Sequence, residues 1–500
     1  MHFALPLPIQ QILTLLQQSG YSAEAVGGCV RDSLLGRIPK DWDITTNAHP
    51  EQIQALFPDS VYENTFGTVG IKVPRPESTE EVSVYDIVEA TTYRVEGDYT
   101  DSRHPDRVQF VGELKQDLSR RDFTINAMAL DWKSEGESTV IDYFGGRSDL
   151  DAKVIRAVGD PVERFTEDAL RMLRAIRFAV YLGDTGASGK SEQTDWKIEK
   201  GTWEAIQKLA PTLANISAER IRDEFSKIIL SPYPMHGLLL LEDAGLLQYI
   251  IPELREGIGI TQNLHHIYTV WEHNLRALHT CPSDKLEVRL ATLLHDVAKP
   301  RTKKGDGYRS TFYNHDHVGA RMTRKILDRL RYSRKIADHA ALLVDNHLFY
   351  YNVGEVTEAS VRRLLSRVGR ENMDDLMAVR IGDRLGSGVP KAKPYKLRHL
   401  EYMVDKVSTD AVSVKMLKIS GVDLKEKLGI APGPIYGAIL DVLLAEVIDD
   451  AAKNTPEHLL QRAEELKDES PESLRALAKK RIEEEREKDL KEIKSKHWVE

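Results

Sequence analysis

The sequence predicts a multidomain chain, with an α/β head followed by an all-α neck, a helical body and a helical tail. Three observations carry this. Short β-branched and aromatic segments broken by glycine turns are confined to roughly the first 150 residues. Apolar stripes of helical period dominate from about residue 166. Nine of the sixteen histidines fall between His265 and His347, which marks a separate chemical centre.

Five hundred residues, 41% hydrophobic and 29% charged, suffice for roughly three or four domains with their own cores. No run approaches ~18 uninterrupted apolar residues, and the first residues, Met1 to Pro6, show neither a basic region nor a cleavage signature, so a cytoplasmic protein is expected. Two cysteines, Cys29 and Cys281, argue against a disulfide framework and a cysteine-based zinc site. At a net charge of −9, any polyanionic partner must meet a local basic surface rather than a global field.

In the head, Ile9, Ile12, Leu13 and Leu16 form a helical stripe, and Ala25-Val26 is a short strand feeding Gly27-Gly28. Paired glycines let backbone approach a ligand closely, and the helix expected from Arg31 to Leu35 aims free N–H groups and a dipole at a phosphate. In Asp41-Trp42-Asp43-Ile44-Thr45 a strand is expected from Trp42 to Thr45, with both carboxylates on one face. Such a pair needs a cation, and oxygen ligands suit Mg²⁺. Val69–Val73 and Val82–Thr92 read as a hairpin, and Arg94 to Asp106 as a polar loop. Arg120 and Arg121 precede an apolar helix expected over Thr124–Leu130, with Asp122 orienting one of them, and Asp142 to Gly146 ends the last strand of the head.

The second informative helix is Thr166–Phe178, with Thr166 as N-cap and Asp168, Arg171 and Arg174 on one face. Gly183–Asp195 reads as an exposed insert, residues 200–255 as a helical neck, and Arg220 and Arg222 as surface charges. In the body, His273, the His295-Asp296 dipeptide, His317, His347 and Asp383 form a mixed imidazole and carboxylate set suited to divalent metal. Beyond Gly388 the chain turns basic at Lys391, Lys393, Lys396 and Arg398, where a polyanion would be held. A helix opens at Ser470-Pro471, and from Arg481 its charges read as solvated.

Taken together, the glycine turn through Asp32, the Asp41/Asp43 pair and Asp117–Met128 resemble the class II tRNA nucleotidyltransferases. These are the CCA-adding enzymes and their bacterial poly(A) polymerase relatives, within the DNA polymerase β-like superfamily. The resemblance implies a polymerase β-like head and two-metal nucleotidyl transfer from CTP and ATP to the tRNA 3′ end. Asp41 and Asp43 would be catalytic and hold Mg²⁺, while Gly27, Gly28, Arg31, Arg120, Arg121, Asp122, Asn126 and Arg174 would line the nucleotide. Asp168 and Arg171 match the family's Glu-Asp-x-x-Arg motif, which reads the base without a template. Glu89 matches an acidic strand residue near the metals, and the 94–106 loop one associated with the switch from C to A addition.

The histidine set resembles the HD phosphohydrolase superfamily and implies a second site for Mn²⁺, Ni²⁺ or Mg²⁺. The expected domains are 1–155 (head), 156–255 (neck with base-recognition helix), 256–400 (HD domain) and 401–500 (tail). A poly(A) polymerase acting on other RNAs, and an HD-type phosphohydrolase with a secondary head, remain open alternatives. Whether C, A or the whole of CCA is added, and the oligomeric state, stay undetermined.

Overall fold

The computed structural model describes residues 3–62, 66–74, 85–97, 107–133, 138–183, 192–262, 267–305, 310–349, 356–388, 395–407, 410–481 and 484. Two compact units emerge: residues 1–256 with 326–333, and residues 257–325 with 334–500.

The first unit is built on a mixed seven-stranded sheet in the order β3-β4-β5-β2-β1-β8-β9. Its strands are β1 (Ala23–Val26), β2 (Asp43–Thr46), β3 (Ser60–Tyr62), β4 (Thr68–Pro74), β5 (Tyr85–Thr92), β8 (Met128–Asp131) and β9 (Thr139–Asp142). A separate hairpin pairs β6 (Arg94–Gly97) with β7 (Arg107–Phe110), and β10 (Val154–Ile155) runs parallel to β11 (Lys197–Ile198). Helices α1 (Leu7–Gln18), α2 (Gly28–Leu34), α3 (Pro50–Leu56), α4 (Leu114–Ser119) and α5 (Gly146–Asp151) accompany the sheet. The α1 stripe expected from the sequence is buried at Ile9, Ile12, Leu13 and Leu16.

The neck follows as α6 (Pro161–Glu167), α7 (Leu170–Tyr181), α8 (Lys200–Leu209), α9 (Ala218–Ile229), α10 (Pro234–Asp243) and α11 (Pro252–Arg255). The second unit carries α12 (Val270–Thr280), α13 (Leu286–Leu294), α14 (Lys299–Thr302), α15 (His315–Arg329, its last turn in the first unit), α16 (Arg334–Asn346), α17 (Glu358–Val368) and α18 (Met373–Gly386). Its tail comprises α19 (Tyr395–Lys406), α20 (Gly421–Leu428), α21 (Pro434–Asp449) and α22 (Pro456–Leu466). Leu424, Ile439, Leu443, Leu459 and Leu474 form the tail's core. No helix among the described residues is long and apolar enough to cross a membrane.

Several expectations change. β2 starts at Asp43 because its partner ends at Val26; continuing that register would set Asp41 opposite Gly28, already helical, so Asp41 lies just before the strand. The apolar segment after Arg121 is a 3-10 turn, Thr124–Asn126, and then strand β8, because the edges of β1 and β9 capture Met128–Asp131 in ladders. The single helix over Thr166–Phe178 is two. Asp160 caps α6 by accepting from Val162 and Glu163, so Thr166 is interior and donates to the Val162 carbonyl. Asp168 is extended (φ −144°) and takes the Leu170 N–H, ending one helix and starting the next. Arg94–Gly97 is strand rather than loop, while residues 98–106 lie outside the described residues. So do residues 82–84 of the hairpin, 184–191 of the insert, Lys391, Lys393 and the side chain of Lys396.

The sheet face bearing Asp43 also holds a buried acid. Glu24 on β1 pairs with Thr45 and accepts from the Tyr93 hydroxyl. Burial pushes the Glu24 carboxyl up to about 7; the Tyr93 bond opposes this, while Asp131 and Asp117 add to it. Between pH ~4.5 and ~7 the fold therefore binds a proton that the unfolded chain has released, so this contribution to stability fades as pH rises. Melting profiles should show this unit losing on the order of 3 kcal/mol across that window. Glu24→Gln should flatten the dependence, and an unchanged slope in that variant would refute the assignment.

Candidate functional site

Gly27 sits at φ +84° between β1 and α2, and a Cβ there would lie 2.8 Å from Arg121 Nη1. Glycine is therefore needed twice, for the backbone angle and for the guanidinium pressed against the turn. Arg121 Nε is buried without a hydrogen-bond partner. Burial pulls the guanidinium below its ordinary pKa, with Asp117 opposing, Arg120 reinforcing, and Asp43 and Asp122 opposing. A buried donor left unsatisfied beside a glycine turn is suited to an anion.

Across the sheet, β2 runs parallel to β5 with Asp43 opposite Glu89, so both carboxylates project from the same face. Asp43 is open at its outer edge, yet enclosure of its carboxyl raises its pKa; Arg121 opposes and Asp41 adds to the rise. Like charges gathered on one face fit a divalent cation held by oxygen ligands.

A hydrogen-bonded chain ties these blocks together. Arg31 pairs with Asp32 (2.8 Å) and donates to Asn126 Oδ1 (2.6 Å); Asn126 Nδ2 donates to Asp122 (3.1 Å), and Asp122 accepts from Arg174 Nε (2.7 Å). Burial would raise the Asp122 pKa, but Arg174 and the Asn126 bond outweigh it and hold the group at about 2. Asp122 thus orients Arg174, not the arginines beside it. Arg120 is instead held by Asp117 (Nε–Oδ1 3.0 Å), which also accepts from Thr45 on β2 (3.1 Å).

Asp168 and Arg171 both come to this side of the unit, though not as an adjacent pair on one helix. Arg220 of α9 forks onto Asp168 at 3.2 and 2.7 Å, so it is a partner of the site rather than a surface charge. Arg171 donates to Glu167 (2.8 Å) and to the Arg120 and Arg164 carbonyls. No spacing in the sequence announces Arg220, 52 residues from its partner. Asp117, three residues before Arg120, was accessible as an i, i+3 pair.

The second unit gathers its own cluster. His273 Nε2 lies 3.0 Å from His295 Nε2, 3.4 Å from Asp296 Oδ2 and 3.3 Å from Asp383 Oδ1; His295 Nε2 lies 3.3 and 3.7 Å from the same two oxygens. Neighbouring donors at about 2.1 Å from one ion are spaced roughly 3.0–3.4 Å apart, so four side chains from α12, the end of α13 and α18 outline one metal cage. The other oxygen, Asp296 Oδ1, faces His315 Nε2 (3.2 Å) and His347 Nε2 (3.7 Å), which outlines a second cage sharing the carboxylate.

The donor set fits metal in detail. Nδ1 of His295, His315 and His347 each meets a backbone carbonyl, of Thr292, Phe312 and Val344, at 2.6–2.7 Å, which leaves Nε2 as the lone-pair nitrogen turned inward. Asp296 Oδ1, His315 Nε2 and His347 Nε2 are buried without hydrogen-bond partners. Burial would raise Asp296, but His295 and Lys299 hold it well below the carboxylate range; burial drives His347 down to about 4. His295 rises to about 10 against its burial because Asp296 and Asp383 demand a positive charge.

His317 is not part of this set. Its Nδ1 pairs with Asp345 at 2.6 Å, about 200° around α15 from His315, which takes the place expected for it. With the helix start unknown, Asn314-His315-Asp316-His317 does not reveal which histidine turns inward.

Residues 23–156 match the Poly A polymerase head domain family, 195–258 the probable RNA and SrmB-binding site of polymerase A, and 263–385 the HD domain. The CCA-adding enzyme of Leuconostoc mesenteroides is 42% identical over 272 residues, 53% of this chain and 62% of that one. That of Ligilactobacillus salivarius is 32% identical over 459 residues, 92% of this chain and 96% of that one. Among solved structures, the Bacillus stearothermophilus CCA-adding enzyme in complex with CTP superposes with a TM-score of 0.66 at 28% identity, covering 92% of this chain and 98% of that one. The Thermotoga maritima CCA-adding enzyme complexed with tRNA shares the fold at 21% identity and a TM-score of 0.55, over 93% and 97% of the two chains. With a polymerase-type head, a helical neck, an HD body and near full-length likeness to one relative, this chain belongs to the CCA-adding enzyme family.

Proposed function

We propose that this protein extends the 3′ end of tRNA with nucleotides from CTP and ATP, without a nucleic-acid template, in the cytoplasm. The observation that carries this is the meeting of the Gly27 turn, Asp43 beside Glu89, and Arg121 with its unsatisfied Nε in one place. Asp41 and Asp43 would hold Mg²⁺, with Glu89 alongside. Bound there, two such ions supply Lewis-acid activation of the ribose 3′-OH and charge compensation on the triphosphate for in-line displacement.

The chain's own groups do the rest. The glycine turn lets backbone approach the phosphates, and Arg121 donates to them. Arg120, held by Asp117, adds a second guanidinium, whereas Arg31 acts through Asn126 and Asp122 to keep the site's geometry. Rejection of uracil follows from lone-pair accounting. Of the four acceptor positions on Asp168, Leu170 N–H and Arg220 Nη1 take both on Oδ1, and Arg220 Nη2 takes one on Oδ2. One remains, enough for the exocyclic amine that cytosine and adenine share and that uracil lacks. Arg171, moved off Glu167, supplies the complementary donor.

The test is incubation of tRNA lacking its 3′ end with labelled CTP, ATP or both. Ordered addition of C and then A supports the proposal. Long tails made from ATP alone on unstructured RNA would identify a poly(A) polymerase instead. The body's cluster supports a second reading beside the first: a metal held by His273, His295, Asp296 and Asp383 makes this unit a phosphoester hydrolase as well.

A further inference from the structure

Between α15 and α16 lies a cleft of about 710 Å³, on the side of α15 that carries His317 rather than the cluster's His315. Arg321 and Arg324, one turn apart on α15, line it opposite Lys335 of α16. Its two acids are already matched. Asp338 takes Arg324 (2.9 Å) and Arg334 (3.4 Å), and Asp345 takes His317. Arg321 and Lys335 are exposed and make no ion pair among the described residues. The cleft thus presents two uncommitted cations in a chain whose net charge is −9.

Its shape bears on what it takes. A nucleoside pocket needs an aromatic or apolar slot for the base, yet no Phe, Tyr or Trp lines this cleft, its two histidines each face a carboxylate (His317 that of Asp345, His339 that of Asp375), and its apolar residues are Ala320, Ala341 and Leu342. Guanidinium and ammonium groups over a shallow floor suit phosphates without a reading of sequence. We propose that the α15–α16 cleft binds the phosphate backbone of the acceptor RNA, with Arg321 and Lys335 as the contacting cations. The inference rests on the tRNA reading above and places part of the RNA grip on the HD body, on residues other than the basic ones the sequence shows after Gly388.

Arg321→Ala combined with Lys335→Ala tests it by equilibrium binding of tRNA lacking its 3′ end between 50 and 200 mM salt. Losing two phosphate contacts should weaken binding about tenfold near 0.1 M salt and make the log–log salt slope shallower by roughly 1.5. The KM for CTP and the melting temperature should stay at wild-type values, and Arg321→Lys should keep most of the affinity. Wild-type affinity and slope in the double variant overturn the cleft assignment while leaving the tRNA reading intact; failure of the wild type to bind tRNA overturns both. If the variant loses inorganic phosphate or CMP but binds RNA unchanged, the cleft takes a small anion and the backbone assignment is wrong.

Discussion

Asp43→Ala is expected to lower nucleotide incorporation by about 10³-fold or more, the loss typical of removing the group that organises charge in a phosphoryl-transfer site. The carboxyl is raised by enclosure and by Asp41, so alanine relieves a repulsion and the fold should melt no lower than wild type. Affinity for tRNA should change less than about twofold, because RNA contacts the chain over far more than one carboxylate. Single-turnover addition of labelled CTP, with a parallel binding assay, separates these quantities. Extension at anything near the wild-type rate would remove Asp43 from the chemistry, and with it the reading of the head as a two-carboxylate transferase.

The second large effect is expected in the body. Asp296 offers one oxygen to each histidine cage, so Asp296→Ala should empty both. Metal content of the purified protein, measured by mass spectrometry, should fall to background. Hydrolysis of cyclic phosphates should fall with it, while nucleotide addition by the head persists. Lys299, 2.6 Å from Asp296 Oδ2, would be left buried without its counter-charge, at a cost of about 3–5 kcal/mol. Asp296→Asn keeps the volume and separates unfolding from loss of metal. A variant that retains stoichiometric metal would show that the remaining ligands suffice and that the shared carboxylate is incidental.

The parts of the site legible in the sequence are those whose chemistry is local. The Gly27-Gly28 turn, the carboxylate at Asp43 and the His295-Asp296 dipeptide each lie in a short run whose residue types constrain the backbone and the ligand together, whereas Glu89, on another strand, was pointed to only by the family resemblance. Illegible were the features decided by other segments. Thr124–Leu130 has an apolar pattern compatible with helix, but its fate was set by two strand edges awaiting partners. The break at Asp168 depended on a cap eight residues upstream, at Asp160. His315 and His317 differ only in where α15 begins. Arg220 became visible only once α9 had folded against the start of α7.

Asp122 has a consequence for how such an enzyme can change. One of its oxygens steadies Asn126, which reaches Arg31 on the side proposed for the phosphates, and the other grips Arg174 on the helix that follows Asp168, the residue proposed to read the base. With the roles proposed above, turnover and fidelity share a single anchor. A lineage drifting toward another nucleotide preference cannot loosen one without disturbing the other, and substitutions that retune selectivity while sparing speed must arise farther out, on the Arg220 side.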